Sequence, residues 1–375
     1  MSSLRAAEFF AGIGLMRLGL EGSEIETVWA NDIEPDKRDM YVANFGAEEF
    51  ELADVRDVSG ASLPAVDLAT ASFPCTDLSL AGQRRGLGAM AAPREQGGGS
   101  SMFWEFARVL DEMGSSRPGV VLLENVLGFA SSHGGRDLRG AVAELNRLGY
   151  SCDPFVVDAR HFVPQSRPRM FIVGLMAPDP ADLLAFGVDR PAWVQRLRAE
   201  MPDARLHTRA LPPLPVGPKD LGRVVESFSP DAAEWWEAER VERFVASLTP
   251  IQRARLEELE ARRSLSWRTA YRRTRDGVAR WEIRADGIAG CLRTARGGSS
   301  KQALVEAGAG EARIRWMTPR EYARLMGAPS YRLEARRNQA LFGFGDAVCV
   351  PAISWLCEHY LVPAASAAPE LATAA

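Results

Sequence analysis

Cys75 follows Ala71-Ser72-Phe73-Pro74, and a thiol in that place is a candidate nucleophile. Only about a few per cent of a free thiol is ionised at neutral pH, so it needs help from its surroundings. Glu124 stands directly after a second apolar run, Gly119 to Leu123. A carboxyl in a desolvated site there can hold or donate a proton. Arg167 and Arg169 bracket Pro168 ahead of a third apolar run, Met170 to Leu175. Two guanidiniums at the start of a strand are costly unless they meet an anion or a polar ligand. Taken singly, Cys75 reads equally well as a buried structural thiol and the arginines as solvated surface. Their recurrence at the ends of apolar runs is what suggests chemistry.

These groups need a scaffold. Val66 to Ala71 reads as a buried strand ending just before Cys75, and open α/β sheets carry their reactive groups at the carboxyl ends of strands. If the strand before Glu124 lies parallel beside it, the two ends come together. Arg5 to Phe10 reads as a first strand, Ala11-Gly12-Ile13-Gly14 as a tight turn, and Leu15 onward as a helix. Such a turn lets a cofactor approach the backbone at a helix N-terminus. Arg17 stands where a dinucleotide fingerprint has its third glycine, so a smaller nucleoside cofactor fits at least as well. Thr27 to Ala30 is a second strand ending at Asn31-Asp32-Ile33-Glu34, and an acid there commonly takes a ribose hydroxyl. A helix runs from about Pro35 to Phe45, and Asp54-Val55 ends a third strand. Ser101 to Glu112 and Asp137 to Leu148 are helical, and Tyr150 to Asp158 is another strand. Ala81 to Ser100, with Gly97-Gly98-Gly99-Ser100, reads as a long loop that could close over a substrate.

The bulk properties exclude several classes. The 375 residues are 46% hydrophobic and 25% charged, an ordinary globular balance. No apolar run approaches the roughly 20 residues that span a membrane. Five cysteines without a Cys-x-x-Cys pair, and four scattered histidines, give neither a disulfide framework nor a metal site. A reduced, cytoplasmic protein is expected. The net charge of −4 does not announce a nucleic-acid partner.

Beyond about Ala177 the α/β alternation stops. Leu211 to Pro218 is a stiff proline-rich connector, and Asp231 to Arg263 a long helical stretch of alternating charge. Between Arg262 and Lys301 eleven basic residues stand against three acidic ones, a local excess of +8 interleaved with Trp267, Tyr271 and Trp281. That is the electrostatic footprint of a nucleic-acid surface. Thr318 to Glu321 opens a helix with a capping box, Gly327 ends it, and a final helix runs from near Pro351 to Tyr360.

Together these segments resemble the DNA (cytosine-5) methyltransferase family. The likeness covers Arg5 to Leu175 and Trp316 to about Leu361. It rests on Phe9-Phe10-Ala11-Gly12-Ile13-Gly14, on Phe73-Pro74-Cys75 with Ser79 and Gly82, and on Glu124-Asn125-Val126. It rests also on Gln165-x-Arg167-x-Arg169, the helix from Arg320, and Gly345-Asp346-Ala347-Val348. The resemblance implies a Rossmann-like S-adenosylmethionine-dependent methyltransferase sheet over 1–177 and 315–363. It implies a smaller inserted target-recognition domain over 178–314, and residues 364–375 read as a disordered tail. Cys75 would attack carbon 6 of a flipped-out cytosine, Glu124 would serve ring N3, and Arg169 the carbonyl at position 2, with Arg167 in support. S-adenosylmethionine would meet Phe10, Ala11, Gly12, Gly14, Asp32, Ile33, Asp54, Val55, Pro74, Asp346 and Val348. Double-stranded DNA would meet Ser79, Gln83, Arg84, Arg272, Arg273, Arg293 and Arg296. A monomer is implied, with a restriction endonuclease for the same site as a possible partner. Two positions depart from the family pattern: Asp346 stands where Asn is usual, and Glu8 where Asp is common. The other readings weighed are an RNA cytosine methyltransferase, a silent DNA-binding regulator and a dinucleotide oxidoreductase.

Overall fold

A computed structural model of the chain describes residues 3–74, 101–184, 190–275, 277–293 and 301–366. They form two compact units. The first comprises residues up to Asp158, Pro168–Pro213, and Ala352 onward; the second comprises Ala159–Arg167 and Leu214–Pro351. The units thus divide elsewhere than the blocks read from sequence: 178–213 pack with the first unit, and the helices between 319 and 346 with the second.

The first unit is built on seven strands: β1 (Leu4–Phe9), β2 (Ile25–Asp32), β3 (Phe50–Leu52), β4 (Leu68–Ala71), β5 (Val120–Val126), β6 (Ser151–Asp158) and β7 (Pro168–Leu175). Their order is β3-β2-β1-β4-β5-β7-β6. Only β7 runs against its neighbours. The chain winds outward from β1 in one direction, then returns to lay β4 on the other side of it. The carboxyl ends of β1 and β4 therefore flank the switch point, where open sheets bind ligands. β4 pairs in parallel with β5, Ala71 opposite Leu123. Strands buried on both faces read as continuous apolar runs, as Val120–Leu123 does.

Among the described residues up to Pro213 this unit carries α1 (Leu15–Leu20), α2 (Pro35–Phe45), α3 (Met102–Glu112), α4 (Gly128–Ser131), α5 (Arg136–Arg147), α6 (Pro180–Leu184) and α7 (Ala192–Glu200). On α3 the spacing of Phe103, Phe106, Ala107 and Leu110 gives one fully buried face, packed in the core with α5. Two strand boundaries differ from expectation. The third strand stops at Leu52, and Asp54 caps a following 3₁₀ turn by accepting the Arg56 N–H. β5 continues through Glu124, Asn125 and Val126, because β7 supplies ladder partners as far as Val126 opposite Arg169. An apolarity criterion ends that strand too early.

Residues 178–213 and the end of the chain are pinned to β6 by buried polar groups. Asp153, wholly buried, accepts from Arg190 Nη2 at 2.9 Å, the Arg209 N–H at 3.1 Å and Tyr360 Oη at 2.9 Å. Since Tyr360 donates to that carboxylate, its oxygen accepts from His207 Nε2 at 2.9 Å, and His207 Nδ1 accepts from Ser151 Oγ at 3.1 Å. Burial pushes the His207 pKa down to about 4, so the ring is neutral.

In the second unit α8 (Ala238–Ala246) and α9 (Pro250–Glu260) cover one face of an antiparallel sheet. Its strands are β8 (Ser266–Arg275), β9 (Val278–Ile283), β10 (Ala303–Gly308) and β11 (Glu311–Trp316), in the order β11-β10-β8-β9. The long helix expected over 231–263 is split because Pro250 starts a new helix, capped by Thr249. α10 (Pro319–Leu325) carries the expected capping box. Gly327 follows at φ 78°, where a Cβ would lie 2.2 Å from Pro351 Cδ. α11 (Arg337–Asp346) and α12 (Val350–Leu356) complete the described elements, with helical backbone continuing to Ser366. The expected tail thus begins as helix at 364–366, with Ala364 and Ala365 buried; its remainder lies outside the described residues. By length and composition Arg337–Ser366 could cross a membrane, because a few charges within an apolar window escape a search for unbroken runs. It is interrupted at 347–349, and 67% of its apolar window is buried, as in a core helix.

Tyr360→Phe leaves Asp153 and His207 each short of a buried partner. It should cost about 1–3 kcal/mol, read as a lower urea midpoint with unchanged slope; an unchanged midpoint would show that the network holds nothing.

Candidate active site

The first turn is set by backbone geometry. Phe10, Gly12 and Gly14 all have positive φ, at 57°, 59° and 79°. Gly14 is also required by packing, since a Cβ there would meet Phe45 Cε2 at 2.4 Å and Tyr41 Cδ2 at 2.8 Å. At Gly12 nothing lies nearer than 4.0 Å to an added Cβ, so space stays open beside the backbone. The Ala11 N–H donates to Asn31 O, tying the turn to β2.

Asp32, 6% exposed, closes the turn: Oδ2 accepts the Gly12 N–H and Oδ1 the Glu34 N–H, both at 2.9 Å. Each carboxylate oxygen has a second lone pair, which a ribose hydroxyl can use. Ile33, 56% exposed, offers an apolar face next to it. Asn31 Nδ2 donates to Glu51 O and Ala53 O, which sets the backbone leading to Asp54. Asp54 is engaged by Arg56, at 2.5 Å to Nη2. The Val55 side chain lies in the core and its carbonyl accepts from Arg108 at 3.0 Å, so only its N–H could meet an adenine edge. An open glycine turn, an acid with spare lone pairs and an exposed apolar side chain fit a nucleoside cofactor.

The candidate catalytic groups among the described residues lie near the end of β5 and at the start of β7. Phe73 packs on Phe103 and Phe129, and its carbonyl accepts from Asn125 Nδ2 at 3.1 Å. Pro74 is exposed at the end of this anchored segment. Cys75 follows immediately and lies outside the described residues, as do Ser79, Gln83, Arg84 and the loop 81–100. Glu124 is 7% exposed in its side chain and faces Arg169, with Nε to Oε1 at 2.9 Å. The contact comes from register: Glu124 pairs with Phe171 and Val126 with Arg169, so the two charged residues are diagonal neighbours on one face.

Arg167 plays a different part. It is 2% exposed, and in the second unit it donates to Leu292 O at 2.9 Å, Gly345 O at 3.1 Å and Ala347 O at 2.5 Å. It therefore clamps the two segments around 292 and 345–347. Asp346 is exposed at the end of α11, Val348 is buried, and Arg293 is exposed beyond Leu292. Arg272 and Arg273 are exposed on β8, and Arg296 lies outside the described residues. Sequence reasoning gave no role to Asn31, Asn125 or Arg108. Asn125 stood inside a quoted motif, but its bond to the Phe73 carbonyl follows only from the pairing of β4 with β5.

Glu8 is buried on β1, and its Oε2 has no hydrogen-bond partner among the described residues. Burial raises its pKa to about 8, against the nearby charge of Arg17.

A sheet with one reversed strand, carrying a glycine turn and an acid at its first two strand ends, is consistent with the fold of S-adenosylmethionine-dependent methyltransferases. The family model for C-5 cytosine-specific DNA methylases matches residues 4–360, and the chain belongs to that family. It is 31% identical over 174 residues to the Type II methyltransferase M.HhaI of Haemophilus parahaemolyticus, covering 46% of this chain and 49% of that one. It is 33% identical over 182 residues to M.DsaV of Dactylococcopsis salina, covering 48% of each. The chain thus spans about half the length of these relatives. Its fold is similar to the crystal structure of S. pombe Dnmt2 methyltransferase, with a TM-score of 0.59 and 16% identity over 96% of this chain and 99% of that one. Members of the family use S-adenosylmethionine.

The pKa of Glu8 has a testable sign. Folded Glu8 keeps its proton up to about 8, whereas its ordinary value is 4.5. The unfolded chain loses the proton first, so this contribution is whole below pH 4.5 and is lost as pH rises through 8. Denaturant unfolding at pH 5 and pH 9 should show Glu8→Gln gaining on the parent at the higher pH. A constant difference would mean that Glu8 is ionised in the fold.

Proposed function

We propose that this chain transfers a methyl group from S-adenosylmethionine to carbon 5 of a flipped-out cytosine in a specific double-stranded DNA sequence. The observation that carries the reading is the Glu124–Arg169 pair beside the Asn125-anchored segment that leads into Cys75. Bound S-adenosylmethionine supplies an electrophilic methyl group. Carbon 5 of cytosine is a poor nucleophile until a thiolate adds at carbon 6. Cys75 makes that bond, and its departure when the carbon-5 proton is lost restores the ring. Glu124 hydrogen-bonds or protonates ring N3 as charge develops, and Arg169 meets the carbonyl at position 2. Extruding the base costs about a few kcal/mol. Ser79, Gln83 and Arg84, outside the described residues, are assigned to DNA contact.

Gly12 and Gly14 bring the backbone to the amino-acid end of the cofactor, with Phe10 and Ala11. Asp32 takes the ribose, and Ile33, Asp54 and Val55 flank the adenine. Pro74 completes this set within the first unit; Asp346 and Val348, in the second, are assigned to the cofactor from the resemblance alone. We assign target reading to the part of 178–314 that folds in the second unit, through Arg272, Arg273, Arg293 and Arg296. The protein acts as a cytoplasmic monomer, with a restriction endonuclease of the same specificity as its companion.

An RNA target is disfavoured because Cys291-Leu292-Arg293-Thr294 is a poor match to the Cys-Phe-Thr of the family's tRNA-methylating branch, and the long insert suits a duplex-DNA reader. A silent regulator is disfavoured by the intact Glu124–Arg169 pair and the retained Cys75.

Expression in a methylation-deficient host followed by 5-methylcytosine mapping tests the proposal. One short methylated motif is expected, and Cys75→Ala should abolish it. Unmethylated DNA alongside methylated host tRNA would replace this reading with the RNA one. Methylation retained by Cys75→Ala would remove Cys75 as the nucleophile.

A further inference from the structure

We propose that the β8–β9 ribbon reads a guanine in the major groove, with Arg273 as the residue that contacts the base. This rests on the DNA-methylating reading above and adds to it one specificity determinant and one base of the target.

The ribbon has two faces. Ala270, Trp281 and Ile283 point into the core beneath α8 and α9. Side chains alternate along a strand, so Tyr271, Arg273, Arg280 and Glu282 lie on the opposite face. Tyr271 pairs with Glu282 and Arg273 with Arg280. Towards the tip the ribbon leaves the core, and Arg272, Arg273, Thr274, Val278 and Ala279 are all exposed. A two-stranded antiparallel ribbon fits the major groove of B-DNA, whereas the major groove of A-form RNA is too deep and narrow for it.

Arg273 and Arg280 face each other directly. Like charges at paired positions destabilise a ribbon unless an anion lies beside them; Glu282 stands beside Arg273, and a phosphate backbone would supply an anion to Arg280. Of the two, Arg273 is oriented. Its guanidinium stacks over the Tyr271 ring at 5.0 Å, and its Nε lies 3.5 Å from Glu282 Oε2. Its side chain is nevertheless 47% exposed. Nε is the edge nearest Glu282, so we assign the Nη1 and Nη2 edge of the planar fork to the base. Two parallel donors held in a plane match the O6 and N7 acceptors of guanine. We assign Arg280 to phosphate.

The test uses purified full-length protein and short duplexes carrying the mapped motif, with each G·C pair replaced in turn. For the parent, kcat/KM should fall at each replaced pair. Arg273→Ala and Arg273→Lys should both lose about ten- to hundredfold of discrimination at a single guanine and keep it elsewhere. Lysine retains the charge and loses the fork. Arg280→Ala should weaken binding equally on every duplex and lower the salt slope by about 1. Unchanged discrimination at every position in both Arg273 variants overturns the proposal while the methylating reading stands. So does equal weakening on all duplexes, which marks a phosphate contact. A parent that methylates no duplex overturns both.

Discussion

The reversal of β7 is the constraint on which the site depends. In a sheet otherwise parallel, carboxyl ends gather on one side and amino ends on the other. Only an antiparallel strand brings its first residues beside the last residues of its neighbour. β7 does this to β5, and Arg169 at its start thereby meets Glu124 near the end of β5. The pair is largely withdrawn from water, so each partner satisfies the other. Removing one from a buried pair typically costs about 3–5 kcal/mol, because a charge is left without its counterpart. Neither side chain can be exchanged without reworking the other.

Around this pair, short polar side chains fix backbone that would otherwise wander. Asn125 holds the Phe73 carbonyl, Asn31 holds the carbonyls of Glu51 and Ala53, and Asp32 holds two N–H groups. The bonds from Asn125 to Phe73, Asn31 to Ala53 and Asp32 to Gly12 each run from the end of one strand to the segment that leaves another. The described segments that leave these strands are thus tied to the rigid sheet at their roots, as reactive geometry requires. The groups doing this are buried and hydrogen-bonded, so they rigidify rather than destabilise the interior.

Much of this was legible in the sequence because the strands of the sheet are short apolar runs punctuated by the groups that matter. The first turn, the helix from Pro35 to Phe45 and the amphipathic α3 follow directly from glycine, proline and 3.6-residue spacing. The roles of Asn31 and Asn125 were not legible, because they depend on which strands are neighbours. Nor was the division of labour between Arg167 and Arg169. Two residues apart on one segment, they belong to different units, one spent on carbonyls around 292 and 345–347 and the other on Glu124. Residues 178–213 lose the α/β alternation, yet Arg190 and His207 tie them to the polar core around Asp153.

The central claim is that Glu124 and Arg169 act on the target base as one coupled unit. A double-mutant cycle tests it most directly, with Glu124→Gln, Arg169→Lys and the double variant compared in single-turnover methylation of a duplex carrying the mapped motif. Coupled residues should give a double variant about as slow as the slower single one, a departure from additivity of about tenfold or more. Rate losses that multiply independently would contradict the account.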